Sequence, residues 1–286
     1  MKLLPLIERC SARLQEAGVS FGHGTNNAFD EAVWLALWRL GLPLDDLDGV
    51  ADMALSAAQQ AAIEALVEKR IATRKPAAYL TGEAWLQGLP FHVDERVIVP
   101  RSLIAEPLAD GVLDACLVEA PRRVLDLCTG NGSLAVLAAL AWPGAMVDAT
   151  DLSADALAVA HLNVERHGLR DRIRLRRGDG LTGAQGRYDL ILCNPPYVNQ
   201  ISMTTLPPEY RAEPALALAG GTDGMDFVRA LLAGVAAHLE AQGVLVLEIG
   251  HERLHFEAAC PTLQPLWLST SAGDDQVLLL ARDQLP

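Results

Sequence analysis

The feature that most constrains the fold is a regular alternation of extended and helical segments that begins near residue 123. Apolar runs with the length of a strand fall at residues 123–127, 145–150, 173–176, 188–193 and 243–249. Segments with helical periodicity separate them at residues 133–141, 154–166 and 223–239. Because parallel neighbours need a crossover connection, usually a helix, this order predicts an α/β fold with a mostly parallel sheet. A Gly-Asp-Asp turn signal joins two late runs, 266–269 and 276–281, so we expect an antiparallel last strand.

The first 80 residues have a different pattern, in which apolar residues recur at helical spacing. Ser56 followed by Gln59 predicts a capping box at the start of one helix. We therefore expect a small N-terminal helical domain over 1–80. His23 lies between two glycines and is expected to be exposed in a turn.

Extended runs on either side of Gly88 follow the helical domain and predict a β-hairpin. A helix is then expected over 102–118, before the first strand of the sheet. The second domain, 81–286, thus consists of a hairpin linker and the α/β sheet.

Composition narrows the function classes. The chain has 286 residues, 51% of them hydrophobic, so it can bury a substantial core, and its formal net charge is −13. Surfaces that neutralise nucleic-acid phosphates are basic, so nucleic acid is not expected as the substrate, whereas a cationic protein partner is compatible. A negative surface that only aids solubility is the open alternative.

The cysteines and the apolar segments indicate the cellular compartment of the protein. The five cysteines are scattered without paired metal spacing, which favours reduced thiols, with no disulfide and no metal. The start of the chain lacks the apolar core of a signal peptide, and Pro143 interrupts the richest apolar stretch. These patterns predict a cytoplasmic protein that does not contact membranes directly.

A glycine-rich turn follows the first strand of the sheet. Gly130 and Gly132 would let the backbone approach a ligand closely, and Asp151 ends the next strand, where a carboxylate can accept hydrogen bonds from ribose hydroxyls. This pair occurs in dinucleotide enzymes and in S-adenosylmethionine enzymes alike. Asp179, after the third strand, could accept from an adenine amino group, and the spacing of a dinucleotide fingerprint is missing. The set favours S-adenosylmethionine.

Two more residues of this segment can be interpreted in more than one way. Asp126 could orient the glycine turn and the charged amino-acid end of the cofactor, or it could cap the following helix, and both can hold. Cys128 fits the turn as a small hydrophobic residue, with no support for a nucleophilic thiol.

An apolar run at 190–193 stops at Asn194, followed by Pro195, Pro196 and Tyr197. Proline lacks the N–H that a sheet ladder needs, so the strand ends there and a stiff loop begins. An amide or exocyclic amino nitrogen is a poor nucleophile because its lone pair is delocalised. The Asn194 side-chain carbonyl and the Pro195 backbone carbonyl could accept from its two N–H groups, while Tyr197 packs on the planar group. An Asn-Pro turn with a structural role only is the alternative.

Several segments taken together resemble the protein N5-glutamine methyltransferases, and the resemblance covers nearly the whole chain. They are residues 79–85, 91–102, 126–132, 194–197, 213–216 and 220–224. Residues 21–28 and the Val-Pro-Arg-Ser sequence are similar to the branch that methylates a glutamine of the third large-subunit ribosomal protein. The release-factor branch usually reads Pro-Arg-Pro followed by an acidic residue, and Ser102 departs from that pattern.

The resemblance implies a fold, a cofactor and site residues. The fold is the Rossmann-like class I sheet of S-adenosylmethionine-dependent methyltransferases, with the helical domain recognising the target. The implied catalytic residues are Asn194, Pro195 and Tyr197. The implied cofactor-binding residues are Asp126, Cys128, Gly130, Gly132, Asp151, Asp179 and Asn194. The implied substrate-binding residues are Asn194, Pro195, Pro196, Tyr197 and Arg101. The roles of Arg101, Glu106 and Glu213 stay open, since Arg101 and Glu106 could line the mouth of the site or form a surface ion pair.

The expected reaction is methyl transfer from S-adenosylmethionine to a glutamine N5 of a large-subunit ribosomal protein. Three alternatives remain open: a release-factor glutamine methyltransferase, an N6-adenine DNA methyltransferase, which faces the same chemical problem, and a non-catalytic ribosome-assembly adaptor.

Overall fold

The computed structural model describes residues Met1–Pro286, which divide into two units. The helical unit comprises Met1–Ala84 and Leu206–Ala212, and the sheet unit comprises Trp85–Thr205 and Glu213–Pro286. Leu206–Ala212 is distant in sequence from the rest of the helical unit, so a single cut at residue 80 does not describe this division. The two functional domains expected from the sequence remain a prediction.

The helical unit is built from short helices whose ends follow local capping chemistry. Its helices are α1 Leu3–Glu16, α2 Ala28–Leu40, α3 Leu47–Val50, α4 Ala57–Thr73 and α5 Ala77–Thr81, with α11 Pro208–Arg211 from the distant segment. The predicted capping box is present: Ser56 Oγ accepts from Gln59 N at 3.2 Å, and Gln59 Oε1 accepts from Ser56 N at 3.0 Å.

A buried ionic cluster lies inside the helical unit. Arg70 is fully buried, and it donates to Glu31 Oε1 at 2.8 Å, to Glu209 Oε1 at 3.1 Å and to the Ser20 carbonyl at 2.9 Å. A guanidinium group can remain buried here because carboxylates and a carbonyl satisfy its donors. The exposed turn expected at His23 is wrong: its side chain is only 2% exposed and its ring lies 4.3 Å from that of Tyr210.

The hairpin forms as predicted, from β1 Glu83–Leu86 and β2 Leu89–His92. Its turn residues Gln87 and Gly88 both have positive φ, the conformation that a tight hairpin requires. The single helix expected over 102–118 is wrong. Two short helices, α6 Ala105–Ala109 and α7 Val112–Cys116, replace it, because Gly111 adopts the left-handed conformation between them.

The sheet unit contains a 7-stranded sheet in the order β5-β4-β3-β6-β7-β9-β8. The strands are β3 Arg123–Leu127, β4 Met146–Asp151, β5 Ile173–Arg177, β6 Tyr188–Cys193, β7 Leu239–Glu248, β8 Leu266–Thr270 and β9 Gly273–Ala281. Strands β3 to β7 pair in parallel, and β9 is antiparallel to both β7 and β8. The predicted α/β class with a mostly parallel sheet and antiparallel late strands is confirmed.

Helices pack on the two faces of the sheet, and an apolar core lies between the sheet and the helices on each face. The remaining helices are α8 Ser133–Ala141, α9 Ala154–Arg166, α10 Gln200–Thr205, α12 Asp226–Leu232 and α13 Arg253–Ala259. The helix expected over 223–239 is wrong, because α12 ends at Leu232 and β7 already begins at Leu239. No helix combines the length and the apolar composition that a membrane span requires.

The strand order reverses direction between β3 and β6. From β3 the chain adds β4 and β5 on one side, and it then returns to place β6 and β7 on the other. Connections that leave in opposite directions open a crevice at the carboxyl ends of these two strands. The fold therefore predicts a ligand site where β3 and β6 end.

Candidate active site

A cavity of about 1110 Å³, including its open mouth, lies at this edge of the sheet. The loops after β3, β4, β5 and β6 contribute to its wall, together with residues from the segments 96–102 and 214–217 and Phe227. Seven of the predicted site residues line it, namely Arg101, Cys128, Gly130, Asp151, Asp179, Asn194 and Pro196. Asp126, Gly132, Pro195 and Tyr197 are not part of the lining.

The glycine turn after β3 is hydrogen-bonded to the Asp151 carboxylate at the end of β4. Gly130 N donates to Asp151 Oδ2 at 2.9 Å, and Ser153 N donates to Oδ1 at 2.8 Å. Burial raises the pKa of Asp151, and these backbone hydrogen bonds oppose the rise. Gly132 has a φ of +81°, and a Cβ there would lie 3.2 Å from the Ala160 Cβ, so glycine also permits α8 and α9 to pack closely.

Asp126 supports the same turn from inside the protein and is only 1% exposed. Its Oδ2 accepts from Thr129 Oγ1 at 2.5 Å and from Ala135 N at 3.1 Å, which joins the turn to α8. Its buried Oδ1 has no hydrogen-bond partner. Burial raises the pKa of this carboxyl from 3.8 to about 7, against the effect of the two hydrogen bonds. The helix-stabilising interpretation of Asp126 therefore matches the contacts.

Asp179 follows β5 and lies exposed in the cavity wall, on the far side from Asn194 along the strand order. Phe227 also lines the cavity, and its ring lies close to Gly180: a Cβ at that glycine would be 3.7 Å from Phe227 Cε2. Leu152 and Leu134 supply further apolar wall. Sequence reasoning missed these apolar residues, because an apolar side chain in a cavity wall has the same local pattern as one in the core.

The Asn-Pro-Pro-Tyr loop begins where β6 ends at Cys193. Val198 N donates to the Leu218 carbonyl at 2.8 Å, and Gly220 N donates to the Val198 carbonyl at 2.9 Å. A Cβ on Gly220 would lie 2.7 Å from the Tyr197 Cα, so only glycine allows this close approach. The loop is thus stiffened by proline and clamped by the glycine-rich segment that follows it.

Arg101 and Glu213 form an ion pair beside this loop. Arg101 Nη1 and Nη2 donate to Glu213 Oε1 and Oε2 at 2.6 and 2.7 Å, and Val99 N donates to Oε1 at 2.9 Å. The Glu213 carboxylate is buried, whereas Arg101 and Pro214 contribute to the cavity wall. Glu106 has a different location: it accepts from Ser271 N and Oγ, both at 2.6 Å, outside the cavity wall.

Glu248 ends β7 beneath the loop. Tyr197 donates its hydroxyl to Glu248 Oε1 at 3.0 Å, and Ser102 Oγ and Leu103 N donate to Oε2 at 2.6 and 2.9 Å. Burial raises the pKa of Tyr197 well above its ordinary value, and the Glu248 carboxylate adds to the rise. The Tyr197 phenol is therefore neutral and acts as the donor. Burial also raises the pKa of Glu248, and the hydrogen bonds from Ser102, Tyr197 and Leu103 oppose that rise.

The cavity fits S-adenosylmethionine. Carboxylates at the ends of β4 and β5 can accept from ribose hydroxyls and an adenine amino group, and apolar side chains can cover the adenine ring. The unpartnered Asp126 oxygen is buried under the turn and outside the cavity wall, so its contact with the cofactor stays a prediction. A Rossmann-like sheet with this donor and acceptor set defines a class I S-adenosylmethionine-dependent methyltransferase.

Comparisons with known proteins define the family. The PrmC N-terminal domain family matches residues 6–82 and the Methyltransferase small domain family matches residues 109–207. Curated proteins named ribosomal protein uL3 glutamine methyltransferase are 57% identical in Bordetella pertussis, 52% in Burkholderia pseudomallei and 50% in Neisseria gonorrhoeae. The alignments cover 99%, 98% and 96% of this chain and 96%, 94% and 92% of those proteins. The chain belongs to the ribosomal protein uL3 glutamine methyltransferase family.

A solved structure supports the fold independently. A methyltransferase from Pyrococcus furiosus is 18% identical and superposes with a TM-score of 0.51, covering 77% of this chain and 97% of that one. The family, the enzyme class and the cofactor expected from the sequence are confirmed, and the adaptor and DNA-methyltransferase alternatives are not favoured.

Proposed function

We propose that this enzyme transfers the methyl group of S-adenosylmethionine to the side-chain amide nitrogen of a glutamine in ribosomal protein uL3. The observation that carries the proposal is the position of Asn194. It lies at the tip of β6, in the wall of the cavity that also contains the carboxylates of Asp151 and Asp179. The relatives' names give the target protein, and the cavity supports the chemistry.

The protein's task is to orient and activate a weak nucleophile. S-adenosylmethionine, when bound, supplies a methyl group on a sulfonium, which is already a strong electrophile. The Asn194 side-chain carbonyl and the Pro195 backbone carbonyl accept from the two N–H groups of the target amide. Two acceptors in fixed positions shift electron density onto nitrogen and aim its lone pair at the methyl group. The new N–C bond would form as the S–C bond breaks, with S-adenosylhomocysteine as the product. No general base is required, because the extra proton on nitrogen passes to water after transfer.

The other predicted residues divide between the two ligands. Cys128, Gly130, Gly132 and the carboxylates of Asp151 and Asp179 hold the cofactor, with Asp126 at its amino-acid end. On the substrate side, Pro196 and Tyr197 pack on the target amide, and Arg101 shapes the entrance. The pairing of Arg101 with Glu213, which lies beside Pro214, supports this division, since it fixes the guanidinium group next to the Asn194 loop.

The helical domain, residues 1–80, is our candidate for target recognition. A formal charge of −13 favours a cationic protein target over the phosphates of a nucleic acid. A ribosomal protein as the target supports the cytoplasmic location expected from the sequence. Replacing residues 1–80 by the corresponding domain of a release-factor methyltransferase should shift the preference between the two targets, and an unchanged preference would remove this assignment.

The test is transfer of labelled methyl to three purified acceptors in parallel: uL3, a release factor and duplex DNA. Label on a uL3 glutamine supports the proposal. Label on the release factor alone would keep the chemistry but change the target, and label on DNA alone would overturn the substrate class.

A pair of asparagine variants tests the role of the loop. Asn194→Ala should abolish transfer while leaving S-adenosylmethionine affinity nearly unchanged. Asn199→Ala is the matched control, because Asn199 lies in the same loop but donates to Glu252 at 2.6 Å and is not part of the cavity wall. Retained transfer by Asn194→Ala would exclude the assigned role.

A further inference from the structure

Glu248, the last residue of β7, accepts a hydrogen bond from the Tyr197 hydroxyl. The Glu248 carboxylate is 3% exposed, and Tyr197 donates to its Oε1 at 3.0 Å. The other carboxylate oxygen accepts from Ser102 Oγ and Leu103 N, which follow Arg101 in the chain. One carboxylate therefore connects the Asn-Pro-Pro-Tyr loop to the segment that carries Arg101.

Burying a carboxylate costs more free energy than other ways of giving a phenol hydroxyl its acceptor. A tyrosine hydroxyl needs one acceptor, which a backbone carbonyl or a water molecule can supply, whereas burying a carboxylate costs free energy unless several donors compensate. Ser102 Oγ and Leu103 N fix the carboxylate through its other oxygen, so Oε1 gives the Tyr197 hydroxyl an acceptor in a fixed position. A need to hold the Tyr197 side chain in one orientation explains why a carboxylate is buried here.

The tip of β7 also leaves room for the Tyr197 ring. Gly250 has a φ of +54°, and a Cβ at this position would lie 2.5 Å from Tyr197 Cε2 and 3.0 Å from Cζ. Real Cβ atoms do not approach a ring so closely, so any larger residue would displace the ring. Glu248 and Gly250, two residues apart, thus fix the hydroxyl end and one edge of the same side chain.

We propose that Glu248 is a positioning residue for methyl transfer, which acts through the Tyr197 hydroxyl while Gly250 accommodates the ring. The proposal rests on the proposed function, in which Tyr197 packs on the target amide. Glu248 does not touch the substrate: it holds the ring in the orientation that places the amide between the two carbonyl acceptors. Loss of that orientation should lower kcat and leave cofactor binding intact.

A double-mutant cycle measures whether Glu248 acts through the hydroxyl. Tyr197→Phe removes only the hydroxyl, and Glu248→Gln keeps the shape and removes the charge. We expect each single variant to lower kcat about tenfold to 100-fold, as misplacement of a reacting group does. The double variant should be no slower than the slower single variant, because both remove the same interaction. The dissociation constant for S-adenosylmethionine should change less than about twofold.

The chain offers a matched control for the loss of a buried phenol. Tyr188, at the start of β6, also donates to a buried carboxylate, Asp148 Oδ2, at 2.8 Å, but neither residue lines the cavity. Tyr188→Phe should lower the free energy of unfolding and leave kcat unchanged. If Tyr188→Phe and Tyr197→Phe lower kcat equally, the effect is one of general stability and the proposal fails.

Glycine variants test the second contact. Gly250→Ala should lower kcat with little change in cofactor affinity. Gly168→Ala is its control, because Gly168 also has a positive φ, +67°, but a Cβ there would meet no atom within 4 Å. The two substitutions carry similar backbone strain, and only one of them displaces the ring. Equal effects on kcat would contradict the proposal.

The outcomes separate this proposal from the proposed function. If the unmodified enzyme does not methylate uL3 at all, the proposed function fails first. If it methylates uL3 and Asn194→Ala abolishes transfer, but Tyr197→Phe keeps full kcat or the cycle is additive, only the positioning role of Glu248 is refuted. Cofactor binding by each variant shows that the sheet unit is folded, so a low kcat cannot be attributed to unfolding.

Discussion

As the pH rises, the unmodified protein should lose unfolding free energy that the Asp126→Asn variant keeps. The Asp126 carboxyl is 1% exposed, and its pKa is raised from 3.8 to about 7, chiefly by burial. Asn has nearly the same shape, so its carbonyl can still accept from Thr129 Oγ1 and Ala135 N, while its NH2 group takes the place of the unpartnered Oδ1. The variant therefore removes a titrating group and keeps the local contacts.

The direction of the effect follows from the two pKa values. Between pH 3.8 and about 7 the folded protein holds a proton on Asp126 that the unfolded chain has released. This stabilises the folded state at low pH, and the contribution is lost as the pH rises through about 7. Between about pH 5 and about pH 8 the unmodified protein should lose about 2 to 3 kcal/mol of unfolding free energy relative to Asp126→Asn.

The assay is urea unfolding of both proteins, without cofactor, at the two pH values. Subtracting one protein's pH dependence from the other's cancels the groups that both share. S-adenosylmethionine affinity, measured by calorimetry at about pH 8, should fall about tenfold to 100-fold in the variant, because the charge-assisted hydrogen bond that we propose between Asp126 and the cofactor is lost. The residue would then favour binding at a cost in stability above neutral pH.

Two results would refute this reasoning. An equal pH dependence in the two proteins would mean that Asp126 does not titrate with a raised pKa. Unchanged cofactor affinity would remove Asp126 from the cofactor site and leave it the structural role of joining the glycine turn to α8.

Three further predictions concern other sites. Arg70→Ala should lower the unfolding free energy by about 3 to 5 kcal/mol in urea titrations, since it leaves the carboxylates of Glu31 and Glu209 buried without this partner, and a loss below about 1 kcal/mol would contradict it. Cys128 has a φ of +58°, so Cys128→Gly should relieve backbone strain and raise the melting temperature slightly with transfer retained, whereas a large loss of transfer would show that the thiol has a function. Asp151→Asn should weaken S-adenosylmethionine binding about tenfold or more in calorimetry without reducing uL3 binding, and parallel losses of both would indicate a general collapse of the cavity.

Local chemistry made several features predictable from the sequence. The two prolines end β6 because they cannot donate to a sheet ladder, and a strand end at the switch point is where a ligand site forms. The Ser56 capping box and the positive φ of Gln87 and Gly88 also depend on residues that are neighbours in the chain. The predicted bounds of two helices were wrong. Gly111 divides the helix predicted over 102–118, and residues 233–238 separate α12 from β7.

Long-range pairing could not be predicted in the same way. Arg101 and Glu213 are 112 positions apart, and Ser102 and Glu248 are 146 apart, so only the crossover topology decides that they meet. His23 is buried because Tyr210, from a distant segment, packs on its ring. Asp126 lies under the glycine turn, outside the cavity wall. The sequence could not predict this, because the alternation of a strand gives the spacing of its side chains but not which face the ligand occupies.

The sequence by itself determined the fold class, the cofactor type and the place of the loop proposed to carry the chemistry, since each depends on periodicity, backbone constraints or a short motif. Tertiary structure alone decided which carboxylates are buried, which cations and hydroxyls they bind, and how Tyr197 is held. The physical reason is that a carboxylate's ionisation and direction depend on burial and on donors brought from distant parts of the chain. Those partners have no fixed spacing in the sequence.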